Sequence, residues 1–292
     1  MTLDLKPKKW AGAIRTVTLG SGSRRALTVG GGNGLPLHTF EANFPNRPVL
    51  ALEITDADPA AQARRAVEEH GADLVMLHLA GTHPDRGNRS PEQAASDVRA
   101  ALDSVSVPLI VKGPGASQKQ NDVLARVAEE CTGEGLALHS ACQEEYKTLA
   151  AVAVAYGHVL VAESPIDMNI AKQLNILLAD SNMDPNRILI DPLTGGLGYG
   201  LEYTYSVMER IRLAALGGDA MLNIPMICLV GPEVWKAKEV KVSGVECGIN
   251  WEIATALSLI EAGAEVLVLR HPASLARLRK LLDSWFGGEA CR

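Results

Sequence analysis

The stretch Pro48-Val-Leu-Ala-Leu-Glu-Ile-Thr-Asp56 decides how this chain is read. It is apolar on consecutive residues, as a strand covered on both faces must be, and lacks the alternation of a half-exposed strand. Its exit is equally telling. A doubly wound, dinucleotide-binding sheet places glycines directly after its first strand. Here the strand runs out through Glu53-Ile54-Thr55-Asp56, without a glycine. Working outward, strand-type runs recur at 73–79, 107–111, 135–139, 159–163, 187–191, 220–230 and 264–269, which with 48–54 makes eight. Between them apolar residues return every three or four positions, as in Ala95, Val98, Leu102 and Val105, in Ile253, Leu257 and Ile260, and in Leu275, Leu278, Leu282 and Trp285. Ser90-Pro91-Glu92 is a helix start, with serine as cap and proline in the first position. Gly71, Gly157 and Gly263 stand where helices should stop. Eight strand–helix pairs in strict alternation predict a parallel sheet closed into a (β/α)8 TIM barrel over residues 48–292.

Residues 1–47 precede the barrel. The runs 14–19 and 26–29 read as two short strands joined by Gly20-Ser21-Gly22-Ser23, with Gly30-Gly31-Gly32-Asn33-Gly34 as a crossing. The expectation is an N-terminal β-hairpin extension capping the barrel. A 292-residue chain with 47% hydrophobic content suits one large domain. A net charge of −6 with no Lys/Arg stripe argues against nucleic acid as a partner. None of the five cysteines forms a C-x-x-C pair, so zinc-ribbon and iron–sulfur spacings are missing and free thiols in a reducing cytoplasm are expected. Lys6, Lys8 and Lys9 are not followed by an apolar run, and the most apolar stretch, 149–162, is too short to span a bilayer. A cytoplasmic protein with no membrane partner is therefore expected.

Barrels carry their sites on the loops that follow the strands. Those positions hold Asp56 and Asp58, His78 and the polar loop 81–89, Lys112-Gly113-Pro114-Gly115, His139-Ser140, Glu163-Ser164-Pro165, Asp191-Pro192, a long loop 231–248, and Arg270-His271-Pro272. His271 reads as part of a helix start. No G-x-S-x-G elbow or H-E-x-x-H motif is present, and the scattered histidines define no metal site. The most unusual segment is Asp191-Pro-Leu-Thr-Gly-Gly-Leu-Gly-Tyr-Gly-Leu-Glu-Tyr-Thr-Tyr205. Its glycines let the backbone approach a ligand closely at a helix start, and its tyrosines offer flat apolar faces with polar tips. Such a loop suits a large, flat, amide-rich or phosphate-bearing ligand, or a protein surface; a tight turn serving only chain geometry is the plainer reading.

The run from Asp191 through Tyr205 to Ser206-Val-Met-Glu-Arg-Ile-Arg212 resembles a signature of the small subunit of the corrinoid iron–sulfur protein, called delta in the acetyl-CoA decarbonylase/synthase complex. Gly30-Gly31-Gly32-Asn33-Gly34-Leu35-Pro36, Phe40-Glu41 and Pro45-Asn46-Arg47-Pro48 look like that family's entry into the barrel. Gly231-Pro-Glu-Val-Trp-Lys-Ala-Lys-Glu239 looks like its loop after the seventh strand. The resemblance implies a TIM barrel in a heterodimer with a large subunit that carries a [4Fe–4S] cluster, with a corrinoid (cobalamin-type) cofactor lying between the two. It implies methyl transfer from a methyl-tetrahydropterin, through a methyltransferase, to acetyl-CoA synthase/CO dehydrogenase in the reductive acetyl-CoA (Wood–Ljungdahl) pathway of carbon fixation. The expected corrinoid contacts are Thr194, Gly195, Gly196, Gly198 and Tyr199, with His78, Lys112, Ser140 and Asn223 lining the same mouth. No catalytic base is assigned on this chain. The alternatives are a stand-alone pterin-dependent methyltransferase, since Gly71-Ala-Asp-Leu-Val-Met76 loosely resembles barrels of the dihydropteroate synthase type, and an aldolase-type barrel using Lys112. Met76 and His78 occupy the stretch where pterin barrels place a carboxylate.

Overall fold

In a computed structural model of the chain, residues 9–21, 24, 26–35, 47–115 and 117–286 are described. The segment 36–46, with Phe40-Glu41 and Pro45-Asn46 of the family-like entry, lies outside the described residues. β1 (Thr16–Leu19) and β2 (Leu27–Gly30) pair antiparallel, with Val17 opposite Val29. Threonines alternate with apolar residues here, so one face of the hairpin is wet and the other buried.

The barrel strands are β3 (Val49–Thr55), β4 (Leu74–His78), β5 (Leu109–Lys112), β6 (Ala137–Ala141), β7 (Val159–Glu163), β8 (Ile188–Asp191), β9 (Met226–Cys228) and β10 (Ala264–Leu269). All neighbours are parallel, and β10 closes on β3 with Val266 beside Val49, so the open-sheet alternative is excluded. The helices are α1 (Pro59–Glu68), α2 (Pro91–Ser104), α3 (Ser117–Glu130), α4 (Tyr146–Tyr156), α5 (Met168–Asp180), α6 (Leu201–Leu216), α7 (Val230–Val234), α8 (Lys238–Ser243), α9 (Val245–Glu261) and α10 (Pro272–Phe286). Ser90 caps α2 and forms a reciprocal capping box with Gln93, as the sequence suggests. Gly157 ends α4 in a left-handed conformation.

Two apolar layers divide the core. Outward residues such as Leu50, Leu52, Val75 and Leu77 pack under the helices with Ala63, Val98 and Leu102. Inward residues such as Val49, Ala51, Leu74, Met76, Ile110 and Val161 share a cluster with Val17, Leu19, Leu27 and Val29 of the hairpin. The hairpin thus fills one end of the barrel. The Gly20 amide donates to the Gly135 carbonyl just before β6 at 2.9 Å, and the Arg15 amide donates to the Asn223 carbonyl just before β9 at 2.7 Å, so that end is the one where strands begin.

Three expectations need correction. The seventh strand covers only Met226–Cys228, because Asp219 accepts from the Met221 amide in a turn and α7 begins at Val230. The expected loop 231–248 is mostly helical, forming α7, α8 and the first turn of α9. The buried face of α9 carries Ile249, Glu252, Thr255, Ala256 and Leu259, while Ile253 and Leu257 are half-buried, because Glu252 turns inward to cap the end of β10.

Candidate functional site

Successive inward positions on a barrel strand lie two residues apart. Extending the inner apolar positions by one step toward the strand ends gives Glu53 on β3, His78 on β4, Lys112 on β5, His139 on β6, Glu163 on β7, Asp191 on β8 and Arg270 just past β10. Only β9 continues with an apolar residue, Leu229. The end of the barrel opposite the hairpin is therefore ringed by three carboxylates, two cations and two imidazoles.

The ring is wired into two groups. Glu53 is buried, and Arg270 Nε donates to its Oε2 at 2.6 Å while His78 Nδ1 lies 3.4 Å from its Oε1. Burial works to raise the Glu53 carboxyl, but the hydrogen bonds from His78 and Arg270 outweigh it and hold the group below its ordinary range. In the second group His139 Nε2 lies 2.8 Å from Asp191 Oδ2 and Lys112 Nζ lies 3.3 Å from His139 Nδ1. His139 reaches Asp191 past the intervening β7, which only the barrel interior allows. Both are 1% exposed. An ammonium can only donate, so Nδ1 accepts and the proton sits on Nε2, donated to Asp191. Burial, helped by the Lys112 charge, pushes the His139 imidazole below its ordinary value despite the pull of Asp191. Ser140 Oγ donates to Glu163 Oε2 at 2.6 Å. His139, Glu163 and Asp191 bring ligand-type atoms within 4.8 Å of one another. The tautomer that Lys112 imposes points a proton, not a lone pair, into that space.

Beside this ring, Asp191 Oδ1 accepts from the Leu193 amide at 2.9 Å and starts the glycine-rich loop. Thr204 of α6 then organises it, accepting from the Gly195 amide at 2.8 Å and donating to the Leu193 carbonyl at 2.9 Å. A Cβ on Gly195 would lie 2.4 Å from the Gly200 carbonyl oxygen, so the loop's tight return requires glycine there. Gly196 sits between Tyr199 and Glu233, with nothing nearer than 3.9 Å to such a Cβ. Tyr199 is 51% exposed, and its hydroxyl donates to Glu239 of α8 at 2.8 Å, joining this loop to the one after β9. That second loop is anchored in turn. The Trp235 indole donates to the buried Glu252 at 3.3 Å, and its ring stacks on His271 at 5.5 Å. Glu252 also accepts from the Arg270 and His271 amides, and burial raises its carboxyl all the same.

Of the nine residues expected from sequence to meet a cofactor, His78 and Lys112 belong to the ring, Ser140 is bonded to its Glu163, and Gly198 and Tyr199 are exposed on the adjoining loop. Gly196 is tucked behind Tyr199, Gly195 packs on the loop itself, and Thr194 is buried beside Cys228. Asn223 is not at the mouth. It precedes β9 at the hairpin end, where its Oδ1 accepts from Arg15 Nε at 2.7 Å. Asp56 and Asp58 serve the backbone, Asp56 accepting from the Gly81 amide and Asp58 capping α1. His271 likewise accepts from the Ala273 amide at the start of α10. Glu53, Glu163, Asp191, His139 and Arg270 are the ring members that the list of expected contacts omits. Their signal was the period of two continued past each strand's apolar core.

These features define a (β/α)8 barrel closed by a hairpin at one end and charged at the other. Solved structures with this fold include the dihydropteroate synthases of Thermus thermophilus in complex with 6HMPPP (TM-score 0.59, 19% identity, 93% of this chain and 98% of that one) and of Yersinia pestis (TM-score 0.58, 15% identity, 92% and 98%). At such identities the likeness is one of fold. Met76 is wholly buried in the inner core.

The chain belongs to the CO dehydrogenase/acetyl-CoA synthase delta subunit family, whose model matches residues 16–281. It is 35% identical to the acetyl-CoA decarbonylase/synthase complex subunit delta of Methanosarcina mazei, over 96% of this chain and 72% of that protein. It is 33% identical to the corresponding subunit of Methanothermobacter thermautotrophicus, over 95% and 77%.

Proposed function

We propose that this chain is a non-catalytic delta-type subunit of an acetyl-CoA decarbonylase/synthase assembly, in which its charged mouth forms one wall of a corrinoid cavity. The carrying observation is the ring of Glu53, His78, Lys112, His139, Glu163, Asp191 and Arg270 beside a preorganised glycine loop that bears the exposed Tyr199. Buried charges are costly, and a cluster of them opening into a cleft marks a candidate ligand site. A corrinoid is flat and fringed with amides, which need donors and acceptors together. Lys112, His78 and Arg270 supply donors, Glu163 and Glu53 acceptors, and Gly198 and Tyr199 a surface over which the fringe can lie. When bound, the corrinoid supplies a cobalt that carries the methyl group; the chain's residues hold and orient it and keep water from one side. The remaining wall belongs to a larger partner subunit with a [4Fe–4S] cluster. A methyltetrahydropterin-dependent methyltransferase loads the carrier, and the acetyl-CoA synthase/CO dehydrogenase unloads it, in the cytoplasm. Residues 1–47 act as a hairpin extension that seals the barrel's other end.

Co-expression with the corrinoid-carrying large subunit tests this reading. A stable 1:1 complex with corrinoid absorption in the visible is expected, and Lys112→Met combined with Tyr199→Ala should lower the corrinoid retained per complex. Absence of a complex, or methyl transfer from a methyl-pterin by the lone chain, would overturn it.

A further inference from the structure

The same glycine loop has a second, outward side. Leu197 and Gly198 of the loop, Leu201 and Tyr205 of α6, and the end of α9 enclose an open, mostly apolar groove of about 540 Å³. Its rim is acidic, with Glu202 on α6 and Glu261 closing α9. Burial raises the Tyr205 hydroxyl above its ordinary value, and the nearby charges of Glu209 and Glu261 add to the rise. Among the described residues, Glu202, Glu209 and Glu261 form no ion pair, although ion pairs tie down much of the remaining surface. Glu261 Oε2 is shielded from solvent and has no hydrogen-bond partner.

An apolar floor with unpaired carboxylates at its rim is complementary to one kind of side chain, a long apolar stem with a cationic head. The stem covers Leu197 and Leu201, the guanidinium or ammonium meets Glu261 and Glu202, and an arginine plane can lie on the Tyr205 ring. The volume admits one or two side chains rather than a domain, so the groove is an anchor point inside a larger interface. We infer that this groove receives an arginine- or lysine-bearing segment of the large partner subunit and so fixes how the two subunits sit about the mouth. The inference rests on the proposed function, because it takes its occupant from that reading.

The test uses the full chain and the large subunit, purified separately and titrated by calorimetry at low and high salt. Glu261→Lys and Leu197→Arg should each weaken association at least tenfold, with melting temperatures near that of the parent. Glu68→Lys, on the exposed face of α1, should not weaken it. Parent affinity should fall as salt rises, and the fall should be shallower in Glu261→Gln. Parent-like affinity in both Glu261→Lys and Leu197→Arg would overturn the groove assignment while leaving the functional reading intact. Failure of the parent chain to bind the large subunit at all would instead overturn the functional reading. Self-association of the lone chain, abolished by Glu261→Lys, would assign the groove to a second copy and overturn the occupant inferred here.

Discussion

Asp191→Asn is the sharpest probe of the ring, because it changes one atom's role without changing shape. In the parent, Asp191 accepts twice, from His139 Nε2–H and from the Leu193 amide. An asparagine must still serve Leu193 with its carbonyl, which leaves its NH2 facing His139. Donor would then meet donor, so the imidazole proton must move from Nε2 to Nδ1. There it confronts the Lys112 ammonium, also a donor, 3.3 Å away. The substitution therefore weakens two contacts in series. A hydrogen bond to a charged group contributes about 1.5–3 kcal/mol. Lys112 is only half-buried and can turn to water, and the asparagine keeps a neutral bond to the ring, so the net loss should be about 2 kcal/mol. At roughly 2 °C per kcal/mol for a domain of this size, the melting temperature should fall by about 4 °C. Calorimetry gives the shift, and nitrogen NMR spectra of the ring give the tautomer. Lys112→Met should cost less when combined with Asp191→Asn than in the parent, because its bond is already lost. An asparagine variant as stable as the parent, with the proton still on Nε2, would refute the reasoning.

Arg212, wholly buried, bonds the Gly263 carbonyl and Glu265, whose carboxyl burial pushes up despite that partner. Arg212→Met should cost about 3–5 kcal/mol in urea unfolding, and Glu265→Gln should recover part of it by removing the stranded charge. Gly195→Ala should lower the melting temperature and open the loop to limited proteolysis, since its Cβ would overlap the Gly200 carbonyl, whereas Gly196→Ala should do neither. His139 and His158 are both held below the ordinary histidine value, chiefly by burial, so the unfolded chain binds protons that the folded one refuses. Stability should thus fall as pH drops through about 6.5, and His158→Gln should flatten that dependence in urea midpoints measured at neutral and mildly acidic pH.

The barrel was legible because its strands are short, apolar and evenly interleaved with helices, and because Glu53-Ile54-Thr55-Asp56 lacks glycine. The hairpin was legible from two short strand-type runs, 14–19 and 26–29, joined by Gly20-Ser21-Gly22-Ser23. The site was legible only in part, and Asn223 shows why. An apolar run such as 220–230 does not reveal where pairing starts, so a residue at the strand's entrance was read as one at its exit. A strand buried on both faces hides its direction in the same way. Leu74, Val75, Met76 and Leu77 are all buried, and nothing among them says which point inward. Only the polar residue at the end, His78, breaks the symmetry. The pairing of His139 with Asp191 crosses 52 positions of sequence and skips a strand, so no local pattern carries it.

Two ionic clusters, one wholly buried and one partly open at the mouth, make a useful contrast. Arg212 and Glu265 lie where α6 meets the start of β10, and Glu265 is also bonded by the Met226 amide on β9, so the pair ties three elements together. That cluster explains itself as structure. The ring at the mouth does not, because its neighbouring strands are already joined by their own ladders, with His78 beside Lys112, Lys112 beside His139 and Glu163 beside Asp191. Apolar side chains of similar volume would pack such a layer at no loss of stability, since replacing buried ion pairs that way is often neutral or favourable. The hairpin shows the chain doing so at the other end, with Val17, Leu19, Leu27 and Val29. With that end filled, a ligand can approach the ring only through the mouth, past Tyr199 and the loop that Thr204 holds in place. Charges kept in that one layer therefore support the proposal that the mouth is the barrel's ligand-facing end.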